Sequence, residues 1–202
     1  IQKEVAVWNQ EEGRLVSSVL KIVPMAITMT SHNFFDREGN FVKTIPKNDV
    51  VYLKERFSGQ ERILIEYEGV IGTILSGGLE TNFIEVSIDE QQISMYLNGE
   101  LIVRGPVVTG TANTGRATPR GRFSIQYKAL NVVLEGPGYA SPVRYWMPIY
   151  GGIGIHDADG WRSQYGGDIY LYGGSHGCIN VPGQIAGTIY ENTYSGMLVI
   201  VK

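Results

Sequence analysis

Asn98-Gly99 stands between Gln92-Ile93-Ser94-Met95-Tyr96-Leu97 and Glu100-Leu101-Ile102-Val103. A pair of this kind between apolar-rich runs closes a two-residue β-hairpin, because both turn positions require positive φ. Just upstream, Phe83-Ile84-Glu85-Val86-Ser87-Ile88-Asp89 alternates as a half-buried strand does. Met197-Leu198-Val199-Ile200-Val201 predicts a closing buried strand. The 26 glycines and twelve tyrosines, with few segments of helical period, make the chain mainly β. One short helix is expected after Pro182, where Ile185 and Ile189 stand four apart, although Gly183 and Gly187 oppose it.

Residues 1–80 read as a separate small β domain. Ala26–Thr30, Val50–Leu53, Ile63–Tyr67 and Val70–Ile74 are short strand candidates, the last two joined at Glu68-Gly69 as a hairpin. So many short strands in so few residues suggest a small barrel. Ser76-Gly77-Gly78-Leu79-Glu80 is the candidate linker to a second domain over 81–202, and Ile1–Pro24 finds no place in the pattern. A hydrophobic content of 43% supports real cores. A net charge of -3 without a basic block argues against nucleic acid. No apolar run approaches the roughly 18 residues of a membrane span. Because the chain opens on Ile1, it is expected to be a trimmed piece of a longer protein, silent about its native address.

Chemistry concentrates in Gly173-Gly174-Ser175-His176-Gly177-Cys178-Ile179-Asn180. This stretch holds the only cysteine, so no internal disulfide can form, and the thiol is either buried and inert or reactive. Small neighbours, a nearby imidazole and amides able to face an anion favour the reactive state. His156, in Gly154-Ile155-His156-Asp157, supplies a base from a separate strand.

These residues resemble the signature of the L,D-transpeptidase (YkuD-like) family, a histidine followed after a spacer by Ser-His-Gly-Cys-Ile-Asn. Independently, Pro106-Val107-Val108-Thr109-Gly110 and Thr118-Pro119-Arg120-Gly121-Arg122-Phe123 resemble the opening of that catalytic domain. More loosely, Lys47–Leu53 and Tyr67–Ile74 resemble a bacterial SH3-like domain, a module that commonly binds wall peptides; a mere spacer is the other reading. The resemblance implies a β-sandwich with one short helix over 81–202, preceded by a small SH3-like β-barrel.

It further implies an extracytoplasmic enzyme of the cell wall or periplasm that makes peptidoglycan 3→3 cross-links. Cys178 would form a thioester with a tetrapeptide stem, and His156 would serve as its base. Pairing with imidazolium would lower the thiol pKa. A main-chain carbonyl at Asp157, or Ser175, would orient His156. The amides of Gly177 and Cys178, with His176, would form the oxyanion hole. Met147, Tyr145 and Trp146 lie where the family places substrate-pocket residues, Trp161 sits in the spacer, and Asn180 is expected to brace the turn more than to touch substrate. Donor and acceptor stem peptides are the expected partners, carbapenem β-lactams the expected covalent inhibitors, and neither metal nor organic cofactor is required. Arg116, Arg120 and Arg122 are either a solvated loop or receivers of stem carboxylates, and His32 receives no role.

Three other readings compete. An L,D-carboxypeptidase or murein peptidase would give the same acyl-enzyme to water. An inactive wall-binding module is disfavoured by the intact Cys178, His156 and Gly177. A zinc site of His156, His176 and Cys178 lacks the number and spacing of ligands such sites use.

Overall fold

A computed structural model describes residues 2–21 and 23–202. Its first strands, β1 (Gln2–Asn9) and β2 (Arg14–Lys21), are joined by a turn in which Asn9 Oδ1 accepts the amides of Glu11 and Glu12. The chain divides into two compact units, one built mainly on Val19–Asn82, the other on Val5–Ser18, Phe83–Met95 and Ile102–Lys202.

In the first unit, β3 (Met25–Thr28), β4 (His32–Asp36), β5 (Phe41–Ile45), β6 (Val50–Leu53), β7 (Arg62–Tyr67), β8 (Val70–Leu75) and β9 (Leu79–Glu80) form one sheet. Its order is β5-β4-β8-β7-β6-β3-β9. The β7–β8 hairpin turns at Glu68 and Gly69, both at positive φ (49° and 80°), which matches the right-handed twist of the strands it joins. Alternation along β7 buries Ile63, Ile65 and Tyr67 with Phe34, Ile45 and Ile74. Tyr67 Oη donates to Asp49 Oδ2, so the phenol satisfies its polar end at the edge of this core.

The second unit carries most of the remaining residues, Tyr96–Leu101 being grouped with the first. Its strands are β10 (Phe83–Ser87), β11 (Gln92–Leu97), β12 (Glu100–Pro106), β13 (Gly121–Ser124), β14 (Ala129–Gly136), β15 (Tyr139–Tyr150), β16 (Ile153–Asp157), β17 (Ile179–Val181) and β18 (Leu198–Val201). A seven-stranded sheet runs β13-β18-β10-β11-β12-β1-β2, and a four-stranded one β14-β15-β16-β17. The expected β11–β12 hairpin turns at Asn98 (φ 50°) and Gly99 (φ 78°). The closing strand β18 pairs parallel with β10 and antiparallel with β13. Residues that the pattern left unplaced are used here, since β1 pairs parallel with β12 in the register Ala6↔Val103.

Two helices form where one was expected, α1 (Ile169–Tyr172) and α2 (Gly183–Asn192). α1 is a single turn, too short to leave a periodic signal. α2 is amphipathic, burying Ile185, Ala186 and Ile189. It starts after Pro182 without a side-chain cap of its own, and the Gly183 amide instead donates to Asp159 Oδ2 at 2.9 Å. A carboxylate there satisfies an otherwise orphan donor and suits the positive end of the helix.

Candidate active site

The four-stranded sheet assembles the site through register. β16 runs antiparallel to β15 with Trp146 opposite His156, and parallel to β17 with His156 beside Asn180. Cys178 precedes β17 by one residue, so strand alternation turns it to the face that Asn180 presents. Trp146, His156, Cys178 and Asn180 line one cavity of about 550 Å³. The imidazole of His156 lies between two indoles, with ring centroids 5.8 Å from Trp146 and 6.0 Å from Trp161.

His156 is only 4% exposed, and its Nδ1 lies 2.8 Å from the Asp157 carbonyl. A carbonyl can only accept, so Nδ1 carries the proton and Nε2 keeps its lone pair. The main chain of Asp157 thus holds the base, while its carboxylate accepts the amides of Arg144 and Tyr145 and fixes β15 just before Trp146. Burial pushes the His156 pKa down, the Asp157 contacts oppose this, and the Arg162 charge adds to the lowering. The site favours the neutral imidazole, the form that accepts a proton.

Burial also pushes the Cys178 thiol up, only partly offset by the Gly154 amide that donates to it. Sγ lies 3.8 Å from the Gly152 carbonyl. This corrects the expectation of a lowered thiol pKa, because the dry wall penalises thiolate and imidazolium alike. Both shifts favour thiol and imidazole over thiolate and imidazolium at rest. Alkylation of Cys178 by iodoacetamide, followed by intact mass, is therefore expected to rise with a midpoint above the roughly pH 8.5 of free cysteine. A midpoint below that value would reveal a resting ion pair instead.

The cysteine turn is braced from within and from a distant loop. Ser175 Oγ donates to the Cys178 carbonyl at 2.6 Å and accepts the Gly177 amide at 3.0 Å. Ser175 is consequently a turn brace, not a partner of His156. Gly177 sits at φ +122°, a conformation that side chains resist, and a Cβ there would lie 3.1 Å from Ile153 Cδ1. Its amide, expected to face an oxyanion, is already spent on Ser175. Among the described residues the amides of His176 and Cys178, which flank Gly177, make no hydrogen bond, and neither does that of Gly174. The imidazole of His176 stacks on Tyr139 at 4.9 Å, which holds it toward the β14–β15 hairpin.

Thr118 was singled out in the sequence only as part of a family pattern. Its buried hydroxyl donates to the Gly177 carbonyl and accepts the Gly110 amide, both at 2.8 Å. Thr118→Val removes both partners' bond while keeping the shape. An unpaired buried polar group costs about 1–3 kcal/mol, and denaturant titration of the variant is expected to show a loss of that size.

Of the five expected pocket residues, Trp146, Trp161 and Asn180 line the cavity, whereas Met147 and Tyr145 do not. Met147 is fully buried in the core, and Tyr145 packs against Tyr190 of α2 with ring centroids 5.4 Å apart. The cause is the period of two along β15: once Trp146 faces the cavity, its neighbours face away. Asn180 shares two main-chain hydrogen bonds with Val108. Among the described residues no three His, Cys, Asp or Glu side chains converge as metal ligands, and no helix is long and apolar enough to cross a membrane.

The sequence model of the L,D-transpeptidase catalytic domain (YkuD) matches residues 81–201. The chain belongs to the L,D-transpeptidase family. Among solved structures, the catalytic domain of the Enterococcus faecium L,D-transpeptidase is 36% identical with a TM-score of 0.55, over 60% of this chain and 96% of that one. The same domain acylated by ertapenem gives 36% identity and a TM-score of 0.56, covering 62% and 100%. A cysteine-to-serine mutant of the E. faecium L,D-transpeptidase covers all of this chain and 75% of its own, at 24% identity and a TM-score of 0.58, a likeness of fold. Among curated proteins there is no match. The L,D-transpeptidase domain thus contains every residue placed on the cavity wall above.

Proposed function

We propose that this L,D-transpeptidase forms 3→3 cross-links between peptidoglycan stem peptides through a thioester on Cys178. The observation that carries this reading is the single cavity shared by the thiol, a neutral buried imidazole and two unengaged amides. His156 Nε2 takes the thiol proton as Sγ attacks the carbonyl of the third stem residue. The amides of His176 and Cys178 receive the negative charge on the carbonyl oxygen. The C–N bond to the terminal D-residue then breaks, and its amine leaves with the proton from His156. The side-chain amine of a second stem attacks the thioester, His156 takes the proton released by that amine, and as the C–S bond breaks that proton passes to Sγ and restores the thiol.

The E. faecium domain acylated by ertapenem, 36% identical, supports the corresponding adduct on Cys178. With such a substrate the enzyme works outside the cytoplasm, in the cell wall or periplasm. The first β unit, whose sequence pattern suggested an SH3-like domain, serves in this reading either to engage wall peptides or as a spacer.

Incubation with a disaccharide-tetrapeptide, alone and with excess acceptor stem, tests the proposal by mass spectrometry. A cross-linked dimer that requires Cys178 supports transfer. Tripeptide and free D-Ala without dimer would show a hydrolase, and no turnover with no carbapenem adduct would leave a binding module.

A further inference from the structure

Two buried side-chain atoms lack any hydrogen-bond partner among the described residues, Arg162 Nε and Asn180 Oδ1. Both residues line the cavity that holds Cys178. A buried polar atom left unpaired is costly, and the rest of each side chain is what lines the cavity, which in Arg162 brings a guanidinium charge to its wall. Their chemistry differs: Asn180 Oδ1 can only accept, whereas the guanidinium can only donate and carries a fixed charge.

Arg162 is held in place independently of any ligand. Its amide donates to the Ala158 carbonyl at 2.9 Å, and its Nη2 donates to the Gly173 carbonyl at 3.1 Å. These bonds anchor it between the end of β16, which carries the base, and the start of the cysteine turn. No carboxylate of the described residues lies within ion-pair distance of it. Glu135, on the exposed β14–β15 hairpin, is the one carboxylate on the cavity wall and does not pair with it.

We propose that Arg162 is the carboxylate-binding element of this cavity, receiving a carboxylate of the donor peptide while Cys178 attacks the neighbouring carbonyl. A half-buried guanidinium with donors in a fixed fork suits that group better than a lysine would. The proposal rests on the reading of the cavity as the donor site. A stem peptide offers two sources of the anion, the terminal carboxylate that leaves with the D-residue and an internal carboxylate that stays on the acyl-enzyme.

The test compares the wild-type chain with Arg162→Met and Arg162→Lys, each checked for an unchanged thermal unfolding midpoint. Cys178 is first alkylated in parallel with iodoacetate and iodoacetamide, which differ in the charge of the arriving group. The iodoacetate-to-iodoacetamide rate ratio is expected to fall several-fold in the Met variant and to recover in part in the Lys variant. An unchanged ratio in Arg162→Met overturns the proposal. With tetrapeptide donor, loss of a charged hydrogen bond is expected to raise KM about 10- to 100-fold. Amidating whichever carboxylate Arg162 holds should erase the difference between wild type and Met variant, which identifies the source. Sensitivity that survives both amidations would also overturn it. If wild type processes no stem peptide, the function proposed above fails, while the alkylation ratio still decides on Arg162.

Discussion

Cys178→Ala is expected to abolish both dimer formation from tetrapeptide stems and the mass adduct with a carbapenem. Nucleophile removal in an enzyme with a covalent intermediate costs on the order of 10⁶ in kcat, which places the remaining rate below detection. Little else should change. Cys178 is partly exposed, its sulfur makes only a long hydrogen bond to the Gly152 carbonyl and one from the Gly154 amide, and the turn is held by Ser175 and Thr118. An unfolding midpoint close to that of the wild type should therefore accompany the loss. Adduct formation by the alanine variant would move the nucleophile elsewhere and sink the mechanism.

His156→Ala is expected to lower the rate of carbapenem acylation by about 10²–10⁴, the usual worth of a positioned general base. The effect is this large because burial favours the protonated thiol, and attack from that form needs an acceptor for its proton at the moment of bond formation. The pH dependence follows the same logic. A base acts while neutral, and burial pushes the His156 pKa down, so the acid limb of the acylation rate should fall below the roughly pH 6.5 of an ordinary histidine. Stopped-flow acylation across pH measures both. An acid limb above that value would mean that the imidazolium is stabilised, contrary to its 4% exposure and its loss of solvent.

The electrostatics also explain why the turn is so heavily braced. Two unengaged amides can stabilise an oxyanion only if they point at it before charge develops, since preorganisation is what makes such donors effective. Ser175 spends its hydroxyl and the Gly177 amide on holding that geometry, and Thr118 spends a second hydroxyl on the Gly177 carbonyl. The polar groups nearest the nucleophile are thus divided between those that hold the turn and those left free for substrate.

The sequence by itself determined the elements whose signals are local. Asn98-Gly99 and Glu68-Gly69 set hairpins because the turn conformation depends on those two residues alone. Cys178 and His156 were legible as a pair because their residue types are rare here and sit in a distinctive context, and the family resemblance across 81–202 rested on them and, independently, on Pro106–Gly110 and Thr118–Phe123. Tertiary structure decided what depends on partners far along the chain. Which of Tyr145, Trp146 and Met147 faces the cavity was fixed by the pairing of β15 with β16, since shifting a strand by one residue exchanges its faces. The cap of α2 comes from Asp159, 24 residues before Gly183, and the parallel partner of β1 is β12, nearly a hundred residues on. Arg162 carries no sequence signal that separates it from any solvated arginine. Its placement beside the cysteine turn, on the cavity wall, exists only once β16, β17 and the loop between them are packed.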